Sequence, residues 1–302
     1  METPPNPFDH AVCLSVTLRR FGTQRKVPAG AIETDADRRL LRLSKTILDC
    51  LALQVISQLD ASIRRYLQSR CLVNVLFRPG IYLLPESLIH EVDARLQDFA
   101  EQRAQLVDAL CAVYETEQEK IRTALGSLYD PLDYPTADAF RACFGMEVQY
   151  LTVSVPRLLE RVSQQLFARE AEKAQTQVAD VARRVEDALL AGLKETMDHL
   201  VDRLTPGSDG KHKTFKASML DHAKDFFAVF QDRNLTGRLD LNELAARAQQ
   251  VLEGVEAQRL RESATLRSHV EKGFRDIQTQ LDAAIIPRPI RQIRFDDEEN
   301  SA

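Results

Sequence analysis

Oxygen-bearing side chains recur at a regular spacing in one stretch of the chain, residues 232–243, with the sequence DRNLTGRLDLNE. Aligned with an EF-hand loop, the stretch has oxygen ligands at positions one, three, five, nine and twelve and a glycine at position six: Asp232, Asn234, Thr236, Asp240 and Glu243, with Gly237. Calcium requires six to eight oxygens around a sharp turn, and helices are predicted on both sides, as an EF-hand requires. The stretch therefore predicts a calcium site.

The same residues are also typical of a simple connection between two helices. Gly237 would supply the turn, and Asp240 or Thr236 would cap the next helix, because capping favours the short oxygen-bearing side chains that also bind calcium. EF-hands normally occur in pairs, and the sequence contains no second such loop. Both interpretations stay open at this point, and the helix cap is the one we favour.

Other residue types with chemical potential do not form a recognisable arrangement. The six histidines have no HxxH, HExxH or HxH spacing, and the GxSxG, Walker A and GxGxxG motifs are absent. The cysteines are widely spaced without a CxxC pair, which favours reduced core thiols: Cys13, Cys50, Cys71, Cys111 and Cys143. The sequence therefore predicts no catalytic residues, no cofactor other than calcium, and a non-enzymatic protein.

Two small basic clusters suggest a further alternative, nucleic-acid binding. One contains Lys211, His212, Lys213 and Lys216, and the other contains Arg288, Arg291 and Arg294. Neither has interleaved aromatic residues for base stacking. The net charge of −5 also argues against a dedicated nucleic-acid binder, because phosphate contacts supply most of the affinity of such proteins. We expect these clusters to be solvated surface.

The composition is that of a globular protein with long helices. Of 302 residues, 44% are hydrophobic and 28% charged, and there are only 11 glycines and 12 prolines to interrupt helices. The first ten residues lack the pattern of a signal peptide, and no apolar stretch approaches the roughly 20 residues that a membrane span needs. We therefore expect a cytoplasmic protein without membrane contact.

Hydrophobic periodicity divides the chain into four parts: a disordered start at 1–10, an α+β domain at 11–156, a helical region at 157–285 and a charged tail at 286–302. The α+β domain has strands predicted near 11–19, 72–84 and 146–155, where apolar residues alternate or β-branched residues cluster. Its two long helices are predicted at 34–70 and 86–126, with Pro85 in the first turn of the second and Gly126 as its C-cap.

The helical region is predicted to contain two long helices and a shorter one. Residues 157–204 lack proline and would form a helix about 70 Å long, which must pair with another helix because it exceeds the diameter of a compact domain. A Phe-rich helix at 215–231 and a last long helix at 241–284, interrupted by Gly254 and Gly273, follow. The fold class is therefore mainly α with a small β element, with long antiparallel coiled-coil-like helices that could also mediate self-association.

Three short motifs carry a resemblance to a known family. They are the first strand ending in Phe21-Gly22, Tyr134-Pro135 before a short helix, and Asn234-Leu235-Thr236 followed by Leu239 and Leu244. In these motifs and in the order of its elements, the chain resembles a family of helical proteins, a domain of unknown function of phages and mobile elements, found beside MoxR-type AAA+ ATPases and proteins with a von Willebrand factor A (VWA) domain.

The resemblance implies a non-enzymatic scaffold or adaptor protein whose partners are an AAA+ ATPase of the MoxR type and a VWA-domain protein. It implies no catalytic residues. It also favours a helix start over a calcium loop at residues 234–236, because this is the role that the Asn-Leu-Thr motif has in the family.

Overall fold

A computed structural model describes residues 6–28, 30, 37, 40, 42–76, 80–206 and 215–284. The chain is mainly α-helical with a small antiparallel β element, as the sequence predicts. It divides into two compact units. The first comprises residues 1–188 and 232–237, and the second comprises residues 189–231 and 238–302.

A three-stranded antiparallel sheet lies in the first unit. Its central strand, β1 (Ala11–Arg19), pairs with β4 (Ile81–Pro85) on one side and β5 (Gly145–Leu151) on the other. Two further strands, β2 (Gln24–Val27) and β3 (Leu43–Thr46), form a separate antiparallel pair. The strand predicted at 11–19 is confirmed, and the one predicted at 146–155 ends at Leu151.

Two long helices, α1 (Leu51–Arg70) and α2 (Ile89–Leu125), pack against each other in the first unit. Their buried residues recur every three or four positions, as in Ile56, Ile63 and Leu67 of α1, which gives each helix one apolar face. Tyr150 of β5 donates a 2.8 Å hydrogen bond to Asp93 of α2, so one face of the sheet lies against this helix. Gly126 follows α2 with φ +52°, and the C-cap prediction is confirmed.

A short helix, α3 (Ala137–Ala142), begins after Thr136, whose side chain accepts a hydrogen bond from the Ala139 amide. Its Phe140 ring stacks on Tyr114 of α2 with ring centroids 3.9 Å apart. Phe21 and Phe144 complete this aromatic cluster with edge contacts to Phe140. The cluster packs the C-terminal half of α2 against α3.

The helix predicted at 34–70 is wrong in its first part. Residues 43–46 form strand β3, paired with β2, and α1 begins only at Leu51. The 3–4 spacing of Leu43 and Ile47 is compatible with a helix, but backbone pairing with residues 24–27 stabilises an extended conformation. The stretch Thr34-Asp35-Ala36-Asp37, whose polar residues would cap the predicted helix, lies outside the described residues except for Asp37.

The predicted strand or hairpin at 72–84 and the predicted helix start at Pro85 also need correction. Leu72 makes an isolated bridge with Leu83, and the strand proper is β4. Pro85 is the last residue of β4, opposite Ala11, and a turn of 3-10 helix (Glu86–Leu88) precedes α2.

At the start of the chain, predicted to be disordered, Pro7–Asp9 form another such turn with Pro7 buried. The predicted charged tail lies outside the described residues.

The helix predicted at 157–204 is confirmed with one interruption. A short helix, α4 (Leu158–Val162), is separated from α5 (Gln164–Leu204) by Ser163 in an extended conformation. The Ser163 hydroxyl accepts a hydrogen bond from the Leu166 amide and so satisfies a free N–H at the start of α5. Residues of α5 up to Ala188 belong to the first unit and the remainder to the second.

The second unit contains the end of α5 with α6 (Ala217–Ala228), α8 (Leu239–Val251), α9 (Ala257–Glu262) and α10 (Ala264–Ala284), while α7 (Phe230–Arg233) lies at the boundary between the units in sequence. The end of α5 runs antiparallel to α10, as three hydrogen-bonded pairs demonstrate: Lys194–Asp282 at 3.0 Å, Asp198–Gln278 at 2.6 Å and Thr205–Glu271 at 2.9 Å. The antiparallel contact covers only this stretch of α5, and the long coiled-coil-like arrangement remains a prediction from the sequence.

The long helix predicted at 241–284, with interruptions at Gly254 and Gly273, is three separate helices in the structure, and of these two interruptions only the one near Gly254 is present. The chain turns after α8 at Gly254, whose φ of +66° favours glycine, and again at Ser263, whose hydroxyl accepts from the Leu266 amide. Gly273 does not break α10. A Cβ atom there would come within 2.9 Å of Val251 Cγ2, so the glycine permits a close contact between α10 and α8. None of the described helices is long and apolar enough to cross a membrane.

Candidate functional site

The residues predicted to bind calcium take separate structural roles. Asp232 lies in α7, and Asn234 and Thr236 lie in the turn after it, within the first unit. Asn234 is 7% exposed, its side-chain oxygen accepts a hydrogen bond from Thr236 Oγ1 at 3.3 Å, and its backbone oxygen accepts from the Gly237 amide. Gly237 has a φ of +68°, so the predicted turn is confirmed at this residue.

Asp240 and Glu243 lie in α8 of the second unit. Asp240 is in the first turn, where its carboxylate accepts from Arg238 Nε at 2.8 Å. Hydrogen bonds from Arg238, and further ones from backbone N–H groups, lower the pKa of this carboxyl despite partial burial. The N-cap residue is Arg238, which makes no side-chain cap, so the prediction that Asp240 or Thr236 is the helix cap is wrong. Asp240 lies instead inside the first turn, where negative charge is favourable.

These contacts are those of a turn and a helix start. In the part of the chain that the structure describes, no group of three or more His, Cys, Asp or Glu side chains is arranged to hold a metal ion. The calcium site remains a prediction from the sequence spacing. Of the predicted basic clusters, Lys216 is described and exposed, whereas Lys211, His212, Lys213 and the three arginines of the tail lie outside the described residues.

A surface groove in the second unit has a volume of about 560 Å³ and a mixed charge. Its basic side chains are Arg203 and Lys216, with His199 and His222 beside them, and Glu195 contributes a carboxylate. Arg203 also lies 3.8 Å from the carboxylate of Asp202. The opposing charges leave little net positive field in this groove for an anionic ligand.

A buried charged pair in the first unit was not found by sequence reasoning. Asp60 of α1 is fully buried, and its Oδ1 lies 2.9 Å from Nε of Arg103, which is 3% exposed. Arg103 also donates to the backbone oxygen of Arg19 at 2.7 Å, and Arg20 lies 3.5 Å from Asp60. The available signal was a charged residue on an apolar helix face, since Asp60 lies four residues after Ile56. This pair joins α1, α2 and the end of β1 and has a structural role.

The buried thiols are also structural. Cys13, Cys50 and Cys71 are buried, and all five cysteines are free, in agreement with the prediction of reduced core thiols. Burial raises the pKa of Cys71 to about 12, so its sulfur remains a protonated thiol at neutral pH and a poor nucleophile.

Several exposed apolar side chains lie close together in sequence in one segment of the first unit. Four apolar side chains within residues 151–162 are between 38% and 72% exposed: Leu151, Val153, Leu158 and Val162. We call these four residues the 151–162 strip. It begins at the end of β5 and includes one face of α4, because Leu158 and Val162 are four residues apart.

The strip belongs to a longer stretch without any buried residue, from Gly145 to Asp180. This stretch includes the first half of α5, whose apolar residues Leu166, Phe167 and Val178 are only partly covered. Val153 of the strip also lines a groove of about 200 Å³, together with Pro156, Leu159 and Val178. Burial of α5 begins at Val181 and Ala182.

Comparison with known proteins gives no relative for this chain: no protein-family model, no curated protein and no solved structure matches it.

Proposed function

We propose that the chain is a non-enzymatic scaffold or adaptor protein that binds a protein partner through the 151–162 strip. The observation that carries this proposal is the exposure of Leu158 and Val162, at 63% and 72%, on one face of α4. Each Å² of apolar surface removed from water contributes about 25 cal/mol, so covering this surface would stabilise a complex. Contiguous exposed apolar residues commonly mark protein interaction sites.

The first half of α5 extends this surface. Its apolar residues recur at helical spacing, yet none is buried before Val181. A partner helix that packs along this face would bury the apolar stripe. Such a contact would be the coiled-coil-like pairing of long helices that the sequence predicts. We therefore propose that the docking surface continues from the strip onto the start of α5.

The kind of partner rests on the family resemblance. The resemblance implies an AAA+ ATPase of the MoxR type and a VWA-domain protein in a phage or mobile-element system, and the cytoplasm is the compartment that the sequence analysis predicts. We adopt these partners and this compartment as part of the proposal.

The test is a pull-down with a variant that changes only the strip. Leu158→Lys with Val162→Lys should keep the circular dichroism spectrum, because both side chains are exposed, and should lose the partner captured by the wild type. Leu132→Lys is the matched control, because Leu132 is 93% exposed and lies outside the strip. Mass spectrometry identifies the partner, and hydrogen exchange of the complex should show protection within residues 151–178.

Equal capture by the wild type and the strip variant would disprove the role of the strip. A wild-type protein that captures nothing from the lysate of its source would contradict the adaptor function itself. Capture of a partner unrelated to AAA+ ATPases and VWA-domain proteins would retain the adaptor function and remove the partner assignment.

A further inference from the structure

The outer edge of β5 is an open sheet edge. In the order β4-β1-β5, β5 is the last strand, and within the described residues no other strand pairs with its outer side. The opposite edge differs, because Leu72 exchanges two backbone hydrogen bonds with Leu83 of β4, at 2.9 and 3.0 Å. The sheet therefore leaves the outward-facing backbone N–H and C=O groups of β5, which alternate with those bonded to β1, without a partner strand among the described residues.

Open edges are normally protected by lysine, proline or a β-bulge. β5 has none of these: it pairs with β1 through seven consecutive residues without a bulge and contains neither lysine nor proline. Its only charged residue is Glu147, which is already paired with Arg19 at 3.1 Å. A strand with such an edge is suited to pairing with a strand from another chain.

The order of residues in β5 is compatible with pairing to itself. In an antiparallel pair of two copies centred on Val148, Glu147 of each copy lies opposite Gln149 of the other, and the carboxylate can accept from the amide. Met146 lies opposite Tyr150, which places a thioether against an aromatic ring. No two like charges lie opposite each other in this register.

We propose that a second copy of this chain binds at the edge of β5, and that the two sheets join into one six-stranded antiparallel sheet about a two-fold axis at Val148. A two-fold axis is the commonest symmetry of homo-oligomers, and it requires the self-complementary surface that β5 provides. The inference rests on the proposed function, because Leu151 belongs both to the strip and to β5. It adds the identity of one partner, the chain itself.

The first experiment uses the full-length protein and measures its mass and the register of the proposed pairing between the two β5 strands. Light scattering should give twice the chain mass of 34.2 kDa. Two single variants, Glu147→Cys and Gln149→Cys, should form a disulfide-linked dimer under mild oxidation only when they are mixed, because the proposed register places position 147 opposite position 149. Each variant alone would bring its cysteines only diagonally close, at about 7–8 Å, which is too far for a disulfide. The wild type controls for the native cysteines.

The second experiment changes the charge at position 149. Gln149→Glu places two carboxylates opposite each other at both symmetric positions and should weaken dimerisation by about two- to thirtyfold. Gln149→Lys places opposite charges together and should preserve or strengthen the dimer. Sedimentation equilibrium at low salt measures both dissociation constants.

A monomeric wild type would overturn the inference, and so would a dimer that fails to cross-link in the mixture or responds equally to both charge variants. These results are distinguishable from failure of the proposed function. A monomer that still loses its partner in the Leu158→Lys, Val162→Lys variant would retain the adaptor function and remove only the self-pairing.

Discussion

The α1–α2 pair and the first half of α5 have similar hydrophobic spacing but different surroundings. Both are amphipathic helices with apolar residues at a spacing of three and four. In α2 the stripe is buried, with Val92 and Leu110 fully inaccessible, whereas α5 contains no buried residue before Val181. The comparison shows that hydrophobic periodicity specifies a helix and one of its faces, but does not specify whether the chain itself covers that face.

The largest expected effect concerns the buried charged pair that joins α1 and α2. Asp60→Ala should lower the free energy of unfolding by about 3–5 kcal/mol, because it leaves the buried guanidinium of Arg103 without its carboxylate. The control is Lys120→Ala, which removes an exposed ion pair with Glu117 and should cost at most about 1 kcal/mol. Urea unfolding measures both. Similar losses in the two variants would show that the α1–α2 interface is not tightly packed.

The same substitution at two leucines gives the next largest contrast. Leu110→Ala should cost about 2–5 kcal/mol, because its side chain is fully buried in α2. Leu158→Ala should change stability by less than about 0.5 kcal/mol, because Leu158 is 63% exposed. Thermal and urea unfolding at a concentration where the protein is monomeric separate the two values. A large loss for Leu158→Ala would mean that the chain covers its own strip.

The smallest expected effect concerns a surface pair in the first half of α5. Hydrogen bonding from Lys173 lowers the pKa of Glu170 below its ordinary value. A lowered pKa contributes stability above the pKa of the unfolded chain, and this contribution is lost as the pH falls through the folded value. The wild type should therefore exceed Glu170→Gln slightly in melting temperature at pH 6, and the difference should shrink as the pH falls below the ordinary glutamate pKa of about 4.3. A constant difference across this range would contradict the ion pair.

Local sequence signals identified much of the fold. The alternation at residues 11–19 and the C-cap at Gly126 were sufficient for β1 and the end of α2, because both depend on neighbouring residues. β3 was missed because its partner β2 lies about twenty residues away, and the periodicity of residues 43–47 fits either structure. Residues 241–284 were predicted as one interrupted helix, because a single glycine, Gly254, does not indicate from sequence alone whether it bends a helix or turns the chain.

The candidate sites were less accessible to sequence reasoning. Residues 232–243 have the spacing of a calcium loop, but the same oxygens can serve a turn and a helix start, and spacing does not separate the two roles. The Asp60–Arg103 pair was missed because its members are 43 residues apart and belong to different helices. The strand at 145–151 was predicted from its residues. The exposure of the 151–162 strip was not, because exposure depends on whether other parts of the folded chain pack against these side chains.

The close contact between Gly273 and Val251 has a consequence for how this protein can vary among its relatives. The two positions share one fixed volume, so a larger residue at 273 requires a smaller one at 251. Substitutions at these positions should therefore covary across homologues. Position 192 should covary with position 226 in the same way, because a Cβ atom on Gly192 would come within 3.2 Å of Phe226 Cε2. In an alignment, such paired exchanges would identify the helices of the second unit as neighbours without any structure.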